Sequence, residues 1–133
     1  MKQANSFFKQ IITTVTNKMH NRKSVNYKEL PAKVKAFAHL HFADLSIAYV
    51  EKNESNYTLT LNDGTELSIS KDGIWERIAC MHESELISIL PPNITSNIKK
   101  FFSNAKIVSA RKNAKGYIIE LSNAVSIKYN YTA

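Results

Sequence analysis

Two segments of the chain carry apolar side chains at the spacing of an amphipathic helix, and each begins just after a Leu-Pro pair. Proline is favoured in the first turn of a helix, where its missing N–H group is not needed. The pattern therefore predicts helices that begin near Pro31 and Pro91 and bury one face each. The predicted apolar faces consist of Val34, Phe37, Ala38 and His41 in the first helix and Ile94, Ile98, Phe101 and Phe102 in the second.

Polar and apolar residues alternate after each predicted helix, which is typical of strands with one buried face. Asp63-Gly64 and Asp72-Gly73 separate successive runs, and Asp-Gly pairs favour tight hairpin turns. Each helix is thus followed by three or four antiparallel strands. The side chains expected to face the helices are Leu59, Leu61, Leu67, Ile69, Ile119, Leu121, Val125 and Ile127.

The second helix-and-strand unit repeats the first at an offset of sixty residues. Leu30-Pro31 recurs as Leu90-Pro91, and Tyr57 recurs as Tyr117. After Leu61 the match shifts to an offset of 58, which predicts that the last turn of the second unit is two residues shorter. We interpret the pattern as a tandem duplication in one α+β domain, with the helices packed on one face of an antiparallel sheet. The predicted segments are an N-terminal arm (1–28), repeat 1 (29–80), a connector (81–89) and repeat 2 (90–133).

The N-terminal arm is basic and amphipathic. Residues 1–35 hold eight Lys or Arg against one acidic residue, whereas the rest of the chain has ten basic and ten acidic residues. We expect an extra helix that docks on the body or on a second copy of the chain, forming a homodimer. The basic charge is that of a solvated helix face, with contact with an anionic membrane surface as the alternative. A nucleic-acid partner is not expected because the body is electrically balanced. The predicted apolar stripe is Phe8, Ile11, Ile12, Val15 and Met19.

Several classes of protein are excluded or disfavoured by what the chain lacks. No uninterrupted apolar run exceeds four residues, so no transmembrane helix is predicted. The N-terminus shows no hydrophobic core of a signal peptide, which predicts a cytoplasmic protein unless the natural beginning is missing. Cys80 is the only cysteine, so no intrachain disulfide forms and its role stays open.

No catalytic, metal or cofactor site is predicted. His39 and His41 are two residues apart and point to different sides of a helix, so they cannot share a metal. Cys80 and His82 lack a third group to orient them as a nucleophile and base. The three glycines are too far apart for a phosphate-binding loop.

The order of these motifs resembles the β-lactamase-inhibitor-like, PepSY-like family. The most specific stretch is Asp72-Gly73-Ile74-Trp75-Glu76 leading to Cys80, followed by Leu90-Pro91, and the similarity covers about residues 29–130. The resemblance implies a tandem-repeat α+β fold and bacterial proteins, usually exported to the periplasm or beyond, of undetermined function. The chain differs from that pattern in its basic N-terminal arm and in its end soon after the last strand.

We expect this chain to bind a protein or peptide, in an inhibitor-like manner, on the sheet face that the helices leave uncovered. A flat surface with small polar side chains suits another protein better than a small substrate. The alternative is a small enzyme or ligand carrier with a cleft between the repeats. The candidate partner-binding residues are Trp75 and Arg77, expected on one face of a strand, together with Thr58, Thr60, Ile118, Glu120 and Lys128.

Overall fold

The computed structural model describes residues 26–80 and 82–131 of the 133-residue chain. A short 3-10 helix, Tyr27–Glu29, precedes three α-helices and seven strands. The helices are α1 (Ala32–His41), α2 (Glu83–Ile89) and α3 (Pro92–Phe101). The strands are β1 (Ile47–Lys52), β2 (Asn56–Leu61), β3 (Glu66–Ser70), β4 (Trp75–Ala79), β5 (Ile107–Asn113), β6 (Gly116–Leu121) and β7 (Ser126–Asn130).

The seven strands form one antiparallel sheet in which every strand pairs with its neighbour in sequence, from β1 to β7. Tight turns join the strands within each unit, whereas β4 and β5 are joined through α2 and α3. The seam between the two units is the pairing of Arg77 with Arg111, Ile78 with Ala110 and Ala79 with Ser109. The sheet is therefore continuous, and the boundaries proposed between repeats and connector stay a prediction.

All three helices pack on one face of the sheet, as the alternation predicts. Val34 and Ala38 of α1, Leu86 of α2 and Ile98 of α3 belong to one core cluster with the inward residues of the strands. The eight side chains expected to face the helices are all in this cluster or packed against it. The predicted α+β class is therefore confirmed.

The two longer helices begin and end in the same way. Pro31 and Pro91 precede the first helical residue, and the backbone of Phe42 and Phe102 after the last one has nearly the same conformation, with φ of −135° in both. The connector, in contrast, contains a helix that the sequence pattern did not predict. This helix, α2, buries Leu86 and is too short for a helical period to be recognised.

The β2–β3 turn and the equivalent β6–β7 turn have equal length, so the predicted two-residue difference is wrong. The N–H of Leu61 bonds to the carbonyl of Thr65, and the N–H of Leu121 bonds in the same way to Val125. The offset of sixty thus continues, and Ile127, paired with Ile119, corresponds to Leu67. The error arose because Leu-Ser-Ile and Val-Ser-Ile are more alike in sequence than the residues that are structurally equivalent.

The predicted N-terminal helix lies outside the described residues. Of the predicted arm (1–28), the structure describes residues 26–28, which are Asn26 and the first two residues of the 3-10 helix. Within residues 26–80 and 82–131, no helix combines the length and the hydrophobicity that crossing a bilayer requires.

Candidate protein-binding surface

The sheet face opposite the helices has two halves that differ in exposure. Cross-strand pairing places Glu51, Thr58, Ser68 and Arg77 in one row across β1 to β4, and the row continues through Arg111, Ile118 and Lys128 on β5 to β7. Residues in the first half of the face are largely buried, whereas residues in the second half are exposed or half-buried. We call these halves the repeat 1 face and the repeat 2 face.

The repeat 2 face carries two cations around an apolar side chain. Ile118 on β6 pairs with Arg111 on one side and with Lys128 on the other. Arg111 and Lys128 are exposed and Ile118 is half-buried. Glu120 lies exposed two residues further along β6, at one border of this row. The arrangement presents an apolar side chain between two cationic residues whose strands lie about 10 Å apart, given the usual spacing of strands.

Polar side chains on neighbouring strands of the repeat 1 face contact one another in pairs. The guanidinium of Arg77 lies 3.0 Å from a carboxylate oxygen of Glu66 on the neighbouring strand. Asn56 donates from its amide to the carboxylate of Glu76 at 2.7 Å. The Arg77 charge is thereby balanced, although Arg77 also lies directly opposite Arg111 across the seam. Arg111 has no ion pair among the described residues.

Trp75 and Arg77 do not share a face, and the prediction that they do is wrong. Ile69 pairs with Trp75 and the adjacent Ser68 pairs with Arg77, so Glu76 is an extra residue in β4, a β-bulge. The extra residue reverses the alternation. Trp75 therefore lies on the helix side and is 7% exposed within the core cluster, whereas Arg77 lies on the open face.

An aromatic group surrounds Trp75 on the helix side. The ammonium of Lys112 lies 4.5 Å above its ring, and the ring of Tyr117 lies 6.2 Å from it, with Tyr131 next in line. Burial lowers the pKa of Lys112 and raises the pKa of Tyr117. Trp75 thus packs against side chains of the second unit on the helix side and is not part of the open face.

Thr58 and Thr60 are also placed differently from the expectation of an accessible surface. Both lie on the open face, as predicted, but only 6% and 3% of their surface is exposed. Of the seven candidate residues, the accessible or partly accessible ones are Arg77, Ile118, Glu120 and Lys128. The sequence analysis missed Arg111, although its place opposite Ile118 follows once the β5–β6 turn is fixed.

The thiol of Cys80 is buried, and its Sγ donates to the backbone carbonyl of His82 at 3.0 Å. Burial raises the pKa of Cys80 to about 12. The thiol is therefore protonated at neutral pH, whereas a nucleophilic cysteine needs a lowered pKa. His82 itself is exposed.

The two helical histidines occupy separate environments. His39 is exposed, while His41 is half-buried with its ring 4.6 Å from that of Phe37, and burial lowers the pKa of His41. Across the described part of the chain, no three or more His, Cys, Asp or Glu residues are grouped so that they could hold a metal ion.

The chain is similar in structure to solved proteins of Bacteroides. One, described as a "putative calcium-regulated periplasmic protein" of Bacteroides thetaiotaomicron, is 25% identical with a TM-score of 0.73, and the match covers 81% of this chain and 88% of the other. A second, a "putative periplasmic protein of unknown function" of Bacteroides vulgatus, is 27% identical with a TM-score of 0.72 and coverage of 81% and 92%. A comparison with curated proteins finds no match.

A family model matches the chain twice, over residues 14–73 and 55–132. The two matches together extend over most of the 133 residues, and they support the internal repeat. The resemblance that rested on the Leu-Pro pairs and on the Asp72-to-Cys80 stretch is thus confirmed. The chain belongs to the family described as "putative beta-lactamase-inhibitor-like, PepSY-like".

Proposed function

We propose that this protein is a non-enzymatic binding module that holds a segment of another protein on its repeat 2 face. The observation that supports the proposal is the row of Arg111, Ile118 and Lys128, in which two exposed cations flank an apolar side chain on neighbouring strands. A surface of this kind is flat and open to solvent. It suits an extended polypeptide segment more than a small substrate, which needs a concave site.

The chemistry of the row defines the segment that it fits. Arg111 and Lys128 favour carboxylates, and Ile118 between them favours a large apolar side chain. The partner segment is therefore an acidic one in which Asp or Glu residues flank an apolar residue. Glu120, at the border of the row, disfavours a partner whose acidic residues continue in that direction.

A cleft between the repeats is the weaker candidate, because β4 and β5 pair directly at the seam. The buried, protonated thiol of Cys80 and its bond to a backbone carbonyl also give no support to a nucleophilic enzyme. We further propose a periplasmic location, on the strength of the descriptions of the structural relatives.

Selection of displayed random peptides on the purified full chain tests the proposed function. The enriched peptides are expected to combine Asp or Glu with a large apolar residue. Their affinity should fall at least tenfold in Arg111→Glu/Lys128→Glu and in Ile118→Asp, and should weaken as salt is raised. Circular dichroism establishes that each variant is folded.

Lys99→Glu/Lys100→Glu is the matched control, because it makes the same change in net charge on exposed positions of α3, away from the sheet face. This control should bind the selected peptides like the unmodified chain. Enrichment of peptides without acidic residues, or equal loss of binding in the control, would contradict the proposal.

A further inference from the structure

The outer edge of β7 differs from the outer edge of the equivalent strand in the first unit. Within the described part of the chain, β7 pairs with β6 alone, whereas its equivalent β3 lies between β2 and β4. Burial reflects this difference. Leu67 and Ile69 of β3 are 0% exposed, but their equivalents Ile127 and Tyr129 are only half-buried. The place that β4 takes beside β3 is therefore open beside β7.

The edge of β7 presents backbone groups in a regular row. The N–H of Leu121 bonds to the carbonyl of Val125, and this bond fixes which residues of β7 face β6. Successive residues of an antiparallel strand direct their N–H and C=O groups to opposite sides. The backbone groups of Ser126, Lys128 and Asn130 therefore point away from β6. All three residues are exposed, so their donors and acceptors are accessible to a further strand.

The other edge of the sheet, that of β1, is less suited to accept a strand. The register of β1 against β2 shifts between Ile47 and Tyr49, and such bulges are one way in which proteins block an edge. The middle of β1 is also buried, including Val50. β7, in contrast, pairs with β6 without a shift in register.

A cavity of about 250 Å³ lies beside the edge of β7 on the helix side. Its walls include Tyr129 and Tyr131 as well as Asn93 in the first turn of α3. In the first unit, the β3–β4 turn occupies the corresponding place. A Cβ atom on Gly73 of that turn would lie 2.9 Å from the Cβ of Lys33, which is sixty residues before Asn93. The first unit thus shows how a chain segment fills this place.

β4 also shows which side chain the cavity suits. Trp75 pairs with Ile69 and lies on the helix side within the core cluster. The residue equivalent to Ile69 is Tyr129, which lines the cavity. An aromatic residue of an added strand would lie opposite Tyr129, where ring-to-ring contact is favourable.

The charge at the edge selects the next residue of the added strand. Arg77 of β4 pairs with Ser68, whose equivalent on β7 is the exposed Lys128. Lys128 has no ion pair among the described residues. Opposite charges stabilise a cross-strand pair, so an acidic residue is favoured opposite Lys128. The same charge disfavours symmetric pairing of two β7 strands about Lys128, because the two ammonium groups would face each other.

We propose that the edge of β7 accepts an extended segment of a partner protein as an eighth, antiparallel strand. The segment carries a large aromatic residue opposite Tyr129, an acidic residue opposite Lys128 and an apolar residue opposite Ile127. Its backbone hydrogen bonds supply affinity, and its side chains supply specificity. The inference does not rest on the proposed function, because the site is the edge of the sheet and not the row across the repeat 2 face.

A synthetic peptide that copies residues 73–79 with the change Arg77→Glu is the probe, since it is β4 adapted to Lys128. Calorimetric titration of the full chain should show saturable one-to-one binding. In the complex, the amide protons of Lys128 and Asn130 should exchange with solvent at least tenfold more slowly, as measured by NMR. The peptide with the unaltered sequence should bind at least fivefold more weakly, because its arginine meets Lys128.

Methylation of single peptide nitrogens tests whether the backbone carries the binding. In β4 the N–H of Cys80 bonds to Val108 of β5, so the alternate residues Arg77 and Ala79 face β3. N-methylation at position 77 of the peptide should therefore weaken binding at least tenfold. N-methylation at position 78, whose N–H faces away from β7, should weaken it less than threefold.

Tyr131→Ala should weaken binding of the probe at least fivefold, because it removes one wall of the cavity. Tyr27→Ala is the matched control, since the two tyrosines are 49% and 51% exposed and Tyr27 lies in the 3-10 helix. Absence of saturable binding, or equal affinity of the two methylated peptides, would overturn the proposal. A chain that is dimeric with a protected Lys128 amide before the peptide is added would assign the edge to a second copy and overturn it as well.

Discussion

Gly64 and Ala124 occupy the same position in two equal turns, and both have positive φ, at 91° and 68°. A left-handed backbone costs a residue with a Cβ about 1–2 kcal/mol, and glycine avoids that cost. We predict that Gly64→Ala lowers the free energy of unfolding by about 1–2 kcal/mol. Ala124→Gly should raise it, but only by up to about 1 kcal/mol, because the greater freedom of glycine in the unfolded chain offsets part of the gain.

Urea unfolding of the two variants and the unmodified chain measures both changes. Opposite signs are expected because the same turn has the favourable residue in one unit and the unfavourable residue in the other. A loss of stability in both variants would show that the two turns are not equivalent.

Cys80 gives the chain a stability contribution that depends on pH. Its folded pKa is about 12, above the ordinary value of 9.0, because burial favours the neutral thiol. The contribution is fully present below pH 9 and is lost as pH rises from 9 towards 12, since the unfolded state then loses the proton first. We predict that the stability difference between the unmodified chain and Cys80→Ala shrinks between pH 8 and pH 10.5.

Urea midpoints at a series of pH values provide the measurement, and the other titrating groups cancel in the comparison. In the native protein at pH 8 the thiol should react with a thiol reagent only as fast as the chain opens. A difference that stays constant with pH would mean that the thiol is accessible to water in the folded state.

One side-chain hydrogen bond, in addition to packing, attaches α2 to the sheet. Glu83, in its first turn, accepts a hydrogen bond from the N–H of Ile107 at 2.9 Å. The register of β5 against β6 shifts between Ile107 and Ser109, next to this bond. We predict that Glu83→Ala destabilises the fold by about 1–3 kcal/mol, because the Ile107 N–H loses its acceptor.

Glu83→Gln is the matched variant, because its amide oxygen can still accept the bond. It should recover at least half of the loss, as measured by thermal or urea unfolding. Hydrogen exchange at the Ile107 amide should speed up in Glu83→Ala alone. Equal losses in both variants would assign the effect to charge instead of the hydrogen bond.

The strands are predictable from the sequence, whereas the β-bulge in β4 is not. Period-two alternation and the Asp-Gly turns were sufficient to predict the strands and their inward faces. The bulge at Glu76 could not be foreseen, because it depends on how β4 pairs with β3 and leaves no mark in the pattern of residues. One extra residue was enough to move Trp75 to the other side of the sheet.

The candidate surface was predicted only in part for a similar reason. Alternation placed Thr58 and Ile118 on the same open face, as the structure does. It could not show that one half of this face is buried and the other open, because alternation shows which face a side chain lies on and not how exposed that face is. The β5–β6 hairpin sets Arg111 opposite Ile118, but its place beside Arg77 depends on the tertiary pairing of β4 with β5.

The whole molecule shares one core between its two units. Leu61 and Leu121 are equivalent residues, each 2% exposed, and both belong to the same cluster. We predict that Leu61→Ala and Leu121→Ala each lower the free energy of unfolding by about 2–5 kcal/mol. Each variant should keep a single cooperative transition, because neither unit has a core of its own.

Unfolding followed by both circular dichroism and Trp75 fluorescence checks this expectation, since the only tryptophan lies in the shared cluster. Leu40→Ala, at an exposed position of α1, is the control and should change stability by less than about 0.5 kcal/mol. Two separate transitions in either core variant would show that the units unfold independently.

The strictly sequential order of the strands has a consequence for the speed of folding. Hairpins between neighbours close short loops, so β1 to β4 and β5 to β7 each assemble through local contacts. The pairing of β4 with β5 is different, because residues 80–106 must be looped out before Ile78 meets Ala110. Closing that loop carries the largest entropic barrier in the sheet. We therefore expect the pairing of β4 with β5, along three residue pairs, to be the slowest step in forming the sheet.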